Sequence, residues 1–316
     1  MPLLEVKNLK KYFKVASGIN HAVDDISFSV EKGETLGVVG ESGCGKSTLG
    51  RTIIHLQEAT DGNVILNGED ITHVHGKKLK EVREKMQIIF QDPYSSLNPR
   101  IRIEGTIEEP LRHSGKFKSK AELKEETNRL MELVGIDERL RNAYPHELDG
   151  GRRQRVGIAR ALALNPEFIV CDEPVSALDV SIQAQVLNLL MDLQDSTKVS
   201  YMFVTHDLSV VKHISDNICV MYLGQLVEKA STEELFRNTL HPYTKALLSA
   251  IPSVDINNPM KRLELKGEIT SPIDPGPGCR FAARCPFATS KCKEPQKLRE
   301  ISKGHFVSCC RIEEIN

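Results

Sequence analysis

Residues 40 to 48 form a glycine-rich segment whose chemistry suits phosphate binding. The segment is Gly-Glu-Ser-Gly-Cys-Gly-Lys-Ser-Thr, and it directly follows the apolar run Thr35 to Val39. Glycines let backbone N–H groups approach phosphate oxygens closely, and the N-terminus of a following helix carries partial positive charge. We expect Lys46 to reach the β- and γ-phosphates of a nucleoside triphosphate and Ser47 to hold Mg²⁺. The other predicted nucleotide contacts in the segment are Gly40, Ser42, Gly43, Cys44, Gly45 and Thr48.

Two adjacent carboxylates follow a second apolar run. Phe168 to Cys171 precedes Asp172 and Glu173. Such a pair at the end of a buried strand is costly unless a cation or a reaction uses it. We predict that Asp172 reaches Mg²⁺ through water and that Glu173 is the general base for the water that attacks the γ-phosphate. His206, at the end of a third apolar run, is predicted to contact the transferred phosphate.

Overall charge and hydropathy exclude several classes of protein. The chain has 316 residues and a formal net charge of -1, with a pI near 6.8. Proteins that bind nucleic acid normally carry a basic surplus, so we expect no DNA or RNA partner. No stretch approaches the ~18 uninterrupted apolar residues that a membrane helix needs, and the start lacks the apolar segment of a signal peptide. We therefore expect a cytosolic chain, with any membrane helices supplied by other subunits.

The pattern of apolar residues predicts an α/β protein. A β-rich layer is expected early in the chain, and later segments alternate between helix and strand, an order typical of a mainly parallel sheet. The predicted strands are Leu3 to Val6, Ile26 to Val30, Thr35 to Val39, Val64 to Leu66, Phe168 to Cys171 and Ser200 to Thr205. The predicted helices are Lys118 to Val134, which stops at Gly135, Arg153 to Leu164 and Ser181 to Gln194.

Five of the eight cysteines crowd into the C-terminal tail. In a reducing compartment such a cluster indicates a metal rather than disulfides. Cys279, Cys285, Cys292 and Cys309 offer four thiolates, with Cys310 as a spare. Four cysteines hold either zinc or an iron–sulfur cluster. Structural zinc usually shows tighter cysteine pairs, so the wide spacing favours a [4Fe–4S] cluster, with Zn²⁺ as the alternative.

In their order along the chain, these motifs resemble those of the ABC (ATP-binding cassette) ATPases over about Leu3 to Pro252. The resemblance identifies Gln91 with the glutamine that senses Mg²⁺ and the transmembrane subunits, so Gln91 joins Ser47 and Asp172 as a predicted Mg²⁺ contact. It identifies His206 with the switch histidine. Phe13, or its neighbour Tyr12, corresponds to the aromatic residue that stacks on adenine. The signature corresponds to Leu148-Asp149-Gly150-Gly151-Arg152 and the D-loop to Ser176-Ala177-Leu178-Asp179.

The resemblance also implies a dimer of cassettes. In ABC ATPases the ATP held by one phosphate-binding loop is completed by the signature of the opposite cassette, whose backbone N–H groups face the γ-phosphate. This implies that Asp149, Gly150 and Gly151 contact the nucleotide of a partner. A chain with one cassette therefore needs a second one to close on ATP.

A finer resemblance is to the ATPase subunits of dipeptide and oligopeptide importers, especially the second of their two different cassettes. It is carried by FQDPYSSLNPR, DEPVSALDVSIQAQVLNLL, HPYTKALLSAIP and the tail that begins GCRFAARCPFA. It implies ATP hydrolysis coupled to peptide uptake at the cytoplasmic face of the membrane. The implied partners are a different cassette, two transmembrane permease subunits and an extracytoplasmic peptide-binding protein. The alternatives are import of nickel or another solute and, as a different class, a soluble ABC ATPase outside transport.

The signature departs from the family at Asp149, where the family has serine. The serine hydroxyl donates to the γ-phosphate, whereas an ionised aspartate only accepts hydrogen bonds and repels phosphate. One hypothesis is that Asp149 turns away from the nucleotide or is neutralised by Arg152 and Arg153. The other, which we favour, is that Asp149 makes one ATP site of the dimer degenerate.

The predicted domain layout follows these motifs. An ABC ATPase domain is expected at 1–255, with a helical subdomain at about 92–165. A small metal-binding extension of the oligopeptide-transporter type is expected at 256–316.

Overall fold

The computed structural model describes residues 1–251, 263, 265, 267 and 271–315. The expected domain boundary between residues 255 and 256 lies outside these described residues. In the part of the chain that is described, no helix is long and apolar enough to cross a membrane.

Strands and helices alternate along most of the described chain. The strands are β1 (Leu4–Val15), β2 (Gly18–Val30), β3 (Thr35–Val39), β4 (Asp61–Leu66), β5 (Glu69–Asp70), β6 (Met86–Ile89), β7 (Phe168–Asp172), β8 (Ser200–Thr205), β9 (Asn217–Tyr222), β10 (Gln225–Ser231), β11 (Arg299–Ser302) and β12 (His305–Val307). The helices are α1 (Lys46–Ile53), α2 (Gly76–Lys85), α3 (Pro93–Ser96), α4 (Ile103–Ser114), α5 (Lys120–Leu133), α6 (Gly150–Leu162), α7 (Val180–Thr197), α8 (Leu208–Ile214), α9 (Thr232–Arg237), α10 (Pro242–Ser249) and α11 (Ile312–Ile315). Short 3₁₀ turns lie at Glu138–Leu140, Pro145–Glu147 and Ser290–Lys293.

The chain divides into two compact units, of which the first carries the phosphate-binding segment and the cysteine-rich tail. It comprises Met1–Val30, Thr35–Thr72 and Thr205–Asn316. One of its sheets is antiparallel, in the order β2-β1-β4-β5, and supplies the expected β-rich layer. In the other, β3 lies parallel to β9, and β10, β12 and β11 follow in antiparallel pairing.

Strands β1 and β2 are much longer than the short strands that the sequence predicted. They pair from Leu4 opposite Val30 to Val15 opposite Gly18, with bulges along the way. Buried residues recur at every second position only in the inner parts of the two strands, residues 4–6 of β1 and 26–30 of β2. The outer parts are therefore set by hydrogen bonding between the two strands, which leaves no apolar period in the sequence.

A buried pair of glutamate and histidine side chains joins the C-terminal strands β11 and β12 to the rest of the first unit. Glu228 of β10 is 0 % exposed and accepts hydrogen bonds from the backbone N–H groups of Leu240 and His241, at 2.8 and 3.0 Å. His305 Nε2, at the start of β12, lies 2.8 Å from Glu228 Oε1. A buried carboxylate needs such partners, so this pair ties the tail to the sheet.

The second unit holds three further parallel strands and the helical region. It comprises Glu31–Glu34 and His73–Val204. Strands β6, β7 and β8 pair in parallel, and every residue of β7 is buried. Helix α5 is capped by the Ser119 side chain and ends before Gly135, whose φ is +67°, as the sequence predicted. Helix α4 was not predicted, because Pro110 lies inside it and proline normally opposes a helix interior.

Candidate functional site

Strand β3 delivers the chain to the phosphate-binding loop, and α1 begins directly after it. Gly45 is the N-cap residue of α1 and has φ +104°, a left-handed conformation that suits glycine. A Cβ atom there would lie 1.9 Å from the carbonyl oxygen of Ala22. As a glycine, Gly45 supplies no side-chain cap to the N-terminus of α1, the end of a helix that favours anions.

Lys46 opens α1 and turns its side chain back over the loop. Its Nζ donates to the carbonyl oxygens of Gly40 and Glu41, at 2.7 and 2.9 Å. Lys46 is 4 % exposed, and Cys44 beneath it is buried, which raises the pKa of that thiol. Ser47 and Thr48 follow in the first turn of the helix. The loop thus has the composition and the local geometry of a triphosphate cradle.

Tyr12 and Phe13, the two candidates for the adenine contact, are neighbours on β1. Side chains of consecutive strand residues point to opposite faces. The Tyr12 ring stacks on His21 with centroids 4.0 Å apart, and its hydroxyl donates to Asp24 at 2.5 Å. The ring of Phe13 lies 4.9 Å from the Lys11 ammonium. Tyr12 is therefore committed to packing within the unit, which favours Phe13 for the adenine contact.

The second unit brings Gln91 and Glu173 into contact. Asp172 ends β7 and is 1 % exposed. Glu173 follows with φ +47°, a strained conformation for a residue other than glycine. Its carboxylate Oε2 accepts a hydrogen bond from Gln91 Nε2 at 3.0 Å. Two of the three predicted catalytic residues are therefore paired within one unit.

Asp149 caps the helix that the signature begins. Its Oδ1 accepts a hydrogen bond from the Arg152 backbone N–H at 2.7 Å, and its Oδ2 lies 3.5 Å from Arg152 Nη1. Arg153 instead donates to the Pro145 carbonyl at 2.5 Å and lies over the Tyr94 ring at 3.5 Å. This geometry matches neutralisation by Arg152 but not by Arg153. The effect of Asp149 on a partner's nucleotide stays a prediction.

The signature glycines pack against the D-loop and the helix that follows it. A Cβ atom at Gly151 would lie 2.5 Å from Ile182 Cγ2, so a larger residue there would force Ile182 to shift. Gly150 faces the Leu178 side chain of the D-loop. Asp179 caps α7 by accepting from the Ile182 N–H at 3.0 Å, and this hydrogen bond lowers the pKa of Asp179. Signature and D-loop therefore form one packed surface of the second unit.

His206 belongs to the first unit, together with the phosphate-binding loop. It follows β8 and its side chain is exposed. The next residue, Asp207, caps α8 by accepting from the Ser209 N–H at 2.8 Å. The backbone on both sides of His206 is thus fixed by a strand and a capped helix.

The tail cysteines line one small cavity. Cys279, Cys285, Cys292, Cys309 and Cys310 all border it. The Sγ atoms of Cys292 and Cys310 are 4.0 Å apart, and burial raises the pKa of Cys279 to about 12. Among the described residues, however, no group of three or more His, Cys, Asp or Glu side chains is arranged to hold a metal. The predicted cysteine ligands therefore line one cavity, but among the described residues their side chains are not arranged as a metal site.

Comparison with known proteins places the chain in a family. Residues 23–176 match the family model of the ABC transporter, and residues 227–292 match the oligopeptide/dipeptide transporter C-terminal region. The oligopeptide transport ATP-binding protein OppF of Bacillus subtilis (strain 168) is 52 % identical over 98 % of this chain and 97 % of its own length. The dipeptide transport ATP-binding protein DppF of Haemophilus influenzae is 49 % identical over 99 % of this chain and 97 % of its own. The chain belongs to the ABC transporter ATP-binding proteins.

Solved ABC cassettes share its fold. CbiO1 from Clostridium perfringens, part of the ABC transporter complex cbiONQ, has a TM-score of 0.66 and 25 % identity, over 75 % of this chain and 91 % of its own. The cassette MJ0796, a dimer in a post-hydrolysis state bound to ADP and Pi, has a TM-score of 0.66 and 28 % identity, over 72 % of this chain and 98 % of its own. The P-loop cassette fold and ATP hydrolysis as its activity follow from this membership.

Several residues around the ABC nucleotide site escaped the sequence analysis. The clearest are Arg280 and Arg284 of the tail, which form ion pairs with Asp24 and Glu41 respectively. Arg284 and Glu41 are 243 residues apart in the chain. No local pattern reports such a pair; the only signal was that each arginine adjoins a tail cysteine.

Proposed function

We propose that this ABC ATPase is the ATP-hydrolysing subunit of an importer of dipeptides or oligopeptides. The observation that carries the proposal is similarity over the whole chain. The solved cassettes cover 72 to 75 % of it, whereas relatives named for oligopeptide or dipeptide transport cover 97 to 99 %. Residues 227–292 also match the C-terminal region that is named for such transporters.

The proposed chemistry divides among residues of each unit. In the first unit, Lys46 binds the β- and γ-phosphates, Ser47 contributes to Mg²⁺ binding, His206 contacts the γ-phosphate and Phe13 supports adenine. In the second unit, Asp172 and Gln91 serve Mg²⁺ and Glu173 accepts a proton from the attacking water. The Gln91–Glu173 hydrogen bond supports this assignment, because it orients the carboxylate that must act as the base.

The proposed assembly is a heterodimer of cassettes on two permease subunits, at the cytoplasmic face of the membrane, with an extracytoplasmic peptide-binding protein. The dimeric MJ0796 cassette supports pairing in general. Asp149 supports an unlike partner, since two copies of this chain would place a carboxylate in both ATP sites. The partner would supply an intact signature over Lys46 of this chain.

We also propose that the tail cysteines hold a [4Fe–4S] cluster, with one Zn²⁺ ion as the alternative. The shared cavity supports a bound cation, because it brings the tail thiols together in one place where they could be deprotonated by a metal. Tetrahedral zinc with Zn–S near 2.3 Å puts sulfurs about 3.8 Å apart, which the Cys292–Cys310 pair approaches. When bound, either group would cross-link the module.

The experiment that tests the proposed function is peptide uptake by the assembled transporter. The chain, its partner cassette and the permeases are reconstituted in vesicles with the peptide-binding protein, and ATP-dependent uptake of labelled di-, tri- and pentapeptides is measured. Uptake of at least one class, absent when Lys46→Ala replaces the parent chain, supports the proposal. Uptake of nickel or a sugar but of no peptide contradicts the proposed cargo.

A further inference from the structure

The phosphate-binding loop contains a carboxylate that should oppose its function. Glu41 is the second residue of the loop, between Gly40 and Ser42. ATP brings several negative charges to this loop, and a free carboxylate near them would repel the nucleotide. The proposed triphosphate binding therefore requires that the charge of Glu41 be compensated.

The compensating charge comes from the cysteine-rich tail. Arg284 Nη1 donates to Glu41 Oε2 at 2.6 Å and Arg284 Nη2 donates to Oε1 at 3.0 Å. Such a two-point pair between guanidinium and carboxylate fixes orientation as well as charge. The two side chains are 8 % and 23 % exposed, so solvent and salt screen the interaction weakly.

A second contact holds the backbone of the same loop residue. The Glu41 N–H donates to the hydroxyl of Tyr243, on α10, at 2.9 Å. Tyr243 packs on Phe281 of the tail with ring centroids 5.4 Å apart. Phe281 in turn accepts, through its carbonyl, the N–H groups of Arg284 and Cys285, both at 3.0 Å. The tail turn thus holds the Glu41 side chain directly, and it supports the Glu41 backbone through Tyr243, which packs on that turn.

The same turn braces the strand beside the adenine position. Arg280, next to Cys279, donates to the Leu223 carbonyl and to the Asp24 carboxylate. Asp24 accepts the hydroxyl of Tyr12, the neighbour of Phe13 on β1. Two arginines of one turn, each adjacent to a cysteine of the cavity, therefore make these contacts. One contacts Asp24, which holds Tyr12, and the other contacts Glu41 of the phosphate-binding loop.

We infer that Arg284 is a positioning residue for ATP binding, which neutralises and orients Glu41 so that the loop accepts a triphosphate. The inference makes the cysteine-rich module part of the nucleotide site rather than an appendage. It rests on the proposed phosphate-binding role of residues 40–48.

The test measures nucleotide affinity of the purified full chain by calorimetry, with Mg²⁺-ATP, ADP and AMP. Arg284→Gln should raise the Kd for ATP at least tenfold, because Glu41 is left unneutralised beside the phosphates. AMP should lose little, since it lacks the phosphates that this loop binds. The matched control is Arg129→Gln, which removes an arginine in a similar two-point pair with Glu126 on α5, at 2.9 and 2.6 Å, and it should bind ATP within twofold of the parent.

A double variant separates this role from general destabilisation. If Arg284 acts on the charge of Glu41, then Glu41→Gln combined with Arg284→Gln should bind ATP more tightly than Arg284→Gln alone. If Arg284→Gln does not fold, Arg284→Met takes its place, since it fills similar space without the charge. ATP affinity within twofold of the parent, or a loss equal for AMP and not relieved by Glu41→Gln, overturns the inference. A parent chain that binds no ATP overturns the proposed loop function instead.

Discussion

Glu173 shows how one residue's backbone can prepare its side chain for chemistry. A left-handed backbone at a residue other than glycine costs about 1–3 kcal/mol. Here the Glu173 N–H is held by the Val204 carbonyl at 2.9 Å, and its carbonyl accepts from Ser176 N–H and Oγ at 3.3 and 3.1 Å. Gln91 fixes the carboxylate at the other end. The proposed base is thus directed by its backbone and not by a rotamer alone.

This arrangement predicts that binding and hydrolysis separate by mutation. Glu173→Gln should retain ATP binding but lower ATP turnover of the assembled transporter by about 10²-fold or more, since a general base contributes roughly 10²–10⁴-fold. Lys46→Ala should lose ATP binding itself. Both quantities are measured on the same preparations, with Glu167→Gln as the control because that carboxylate pairs with Lys85 at the opposite end of β7. Parental turnover in Glu173→Gln would show that another group is the base.

The elements predicted from sequence were those with a continuous apolar signal or a clear terminus. Strand β3 has the predicted bounds, β8 likewise, and α5 starts two residues later than predicted and ends where Gly135 implied. The outer parts of β1 and β2 and helix α4 were missed, because strand pairing and tertiary packing form them against weak or opposing local preference. The Glu41–Arg284 pair was missed since contacts between distant segments leave no periodic trace.

Helix α6 carries the unusual signature residue at its N-cap, where the structure gives Asp149 a stabilising role. Both aspartate and serine cap helices well, so Asp149→Ser should change the free energy of unfolding by only a few tenths of a kcal/mol, while Asp149→Ala should cost about 1 kcal/mol. Fold stability therefore does not require aspartate over serine. Aspartate and serine should instead differ in their effect on dimerisation, when the phosphates of ATP bound to a partner cassette approach α6.

Asp149→Ser should accordingly strengthen ATP-dependent dimerisation and speed ATP hydrolysis of the isolated chain. A carboxylate ~4 Å from a phosphate charge costs about 4 kcal/mol at an effective dielectric of 20. Even if Arg152 cancels half of this, dimerisation weakens more than tenfold, since ~1.4 kcal/mol is a factor of ten. Light scattering and ATPase rates check the change, with Asp137→Ser as a control for an exposed cap carboxylate bound to a nearby arginine, Arg139. A brisk ATPase that Asp149→Ser leaves unchanged would make Asp149 a tolerated substitution.

At the scale of the whole chain, the tail is integrated with the cassette at three places in the first unit. His305 meets buried Glu228, Arg280 meets Asp24, and Arg284 meets Glu41. Burial lowers the pKa of His305, but the hydrogen bond and charge of Glu228, with Glu234, outweigh it and raise that pKa. Two of the three contacts originate in the turn between Cys279 and Cys285, so the state of the cysteines should be felt at the nucleotide.

Removing one cysteine should therefore change metal content and ATP affinity together. Chain purified without oxygen should contain about four irons if the thiolates hold one cubane cluster, or one zinc if they hold that ion. Cys285→Ser should lower this metal content and raise the Kd for ATP several-fold, because the turn that carries Arg284 loses its cross-link. In the Arg284→Gln background the same substitution should add little to the ATP Kd, since the contact from the turn to the loop is already removed.

Cys219→Ser controls for loss of a buried thiol in β9, away from the cavity. A parent protein that contains no metal would contradict the proposed cofactor. Loss of metal in Cys285→Ser with unchanged ATP affinity would show that the cysteine-rich module packs on the cassette without affecting ATP binding.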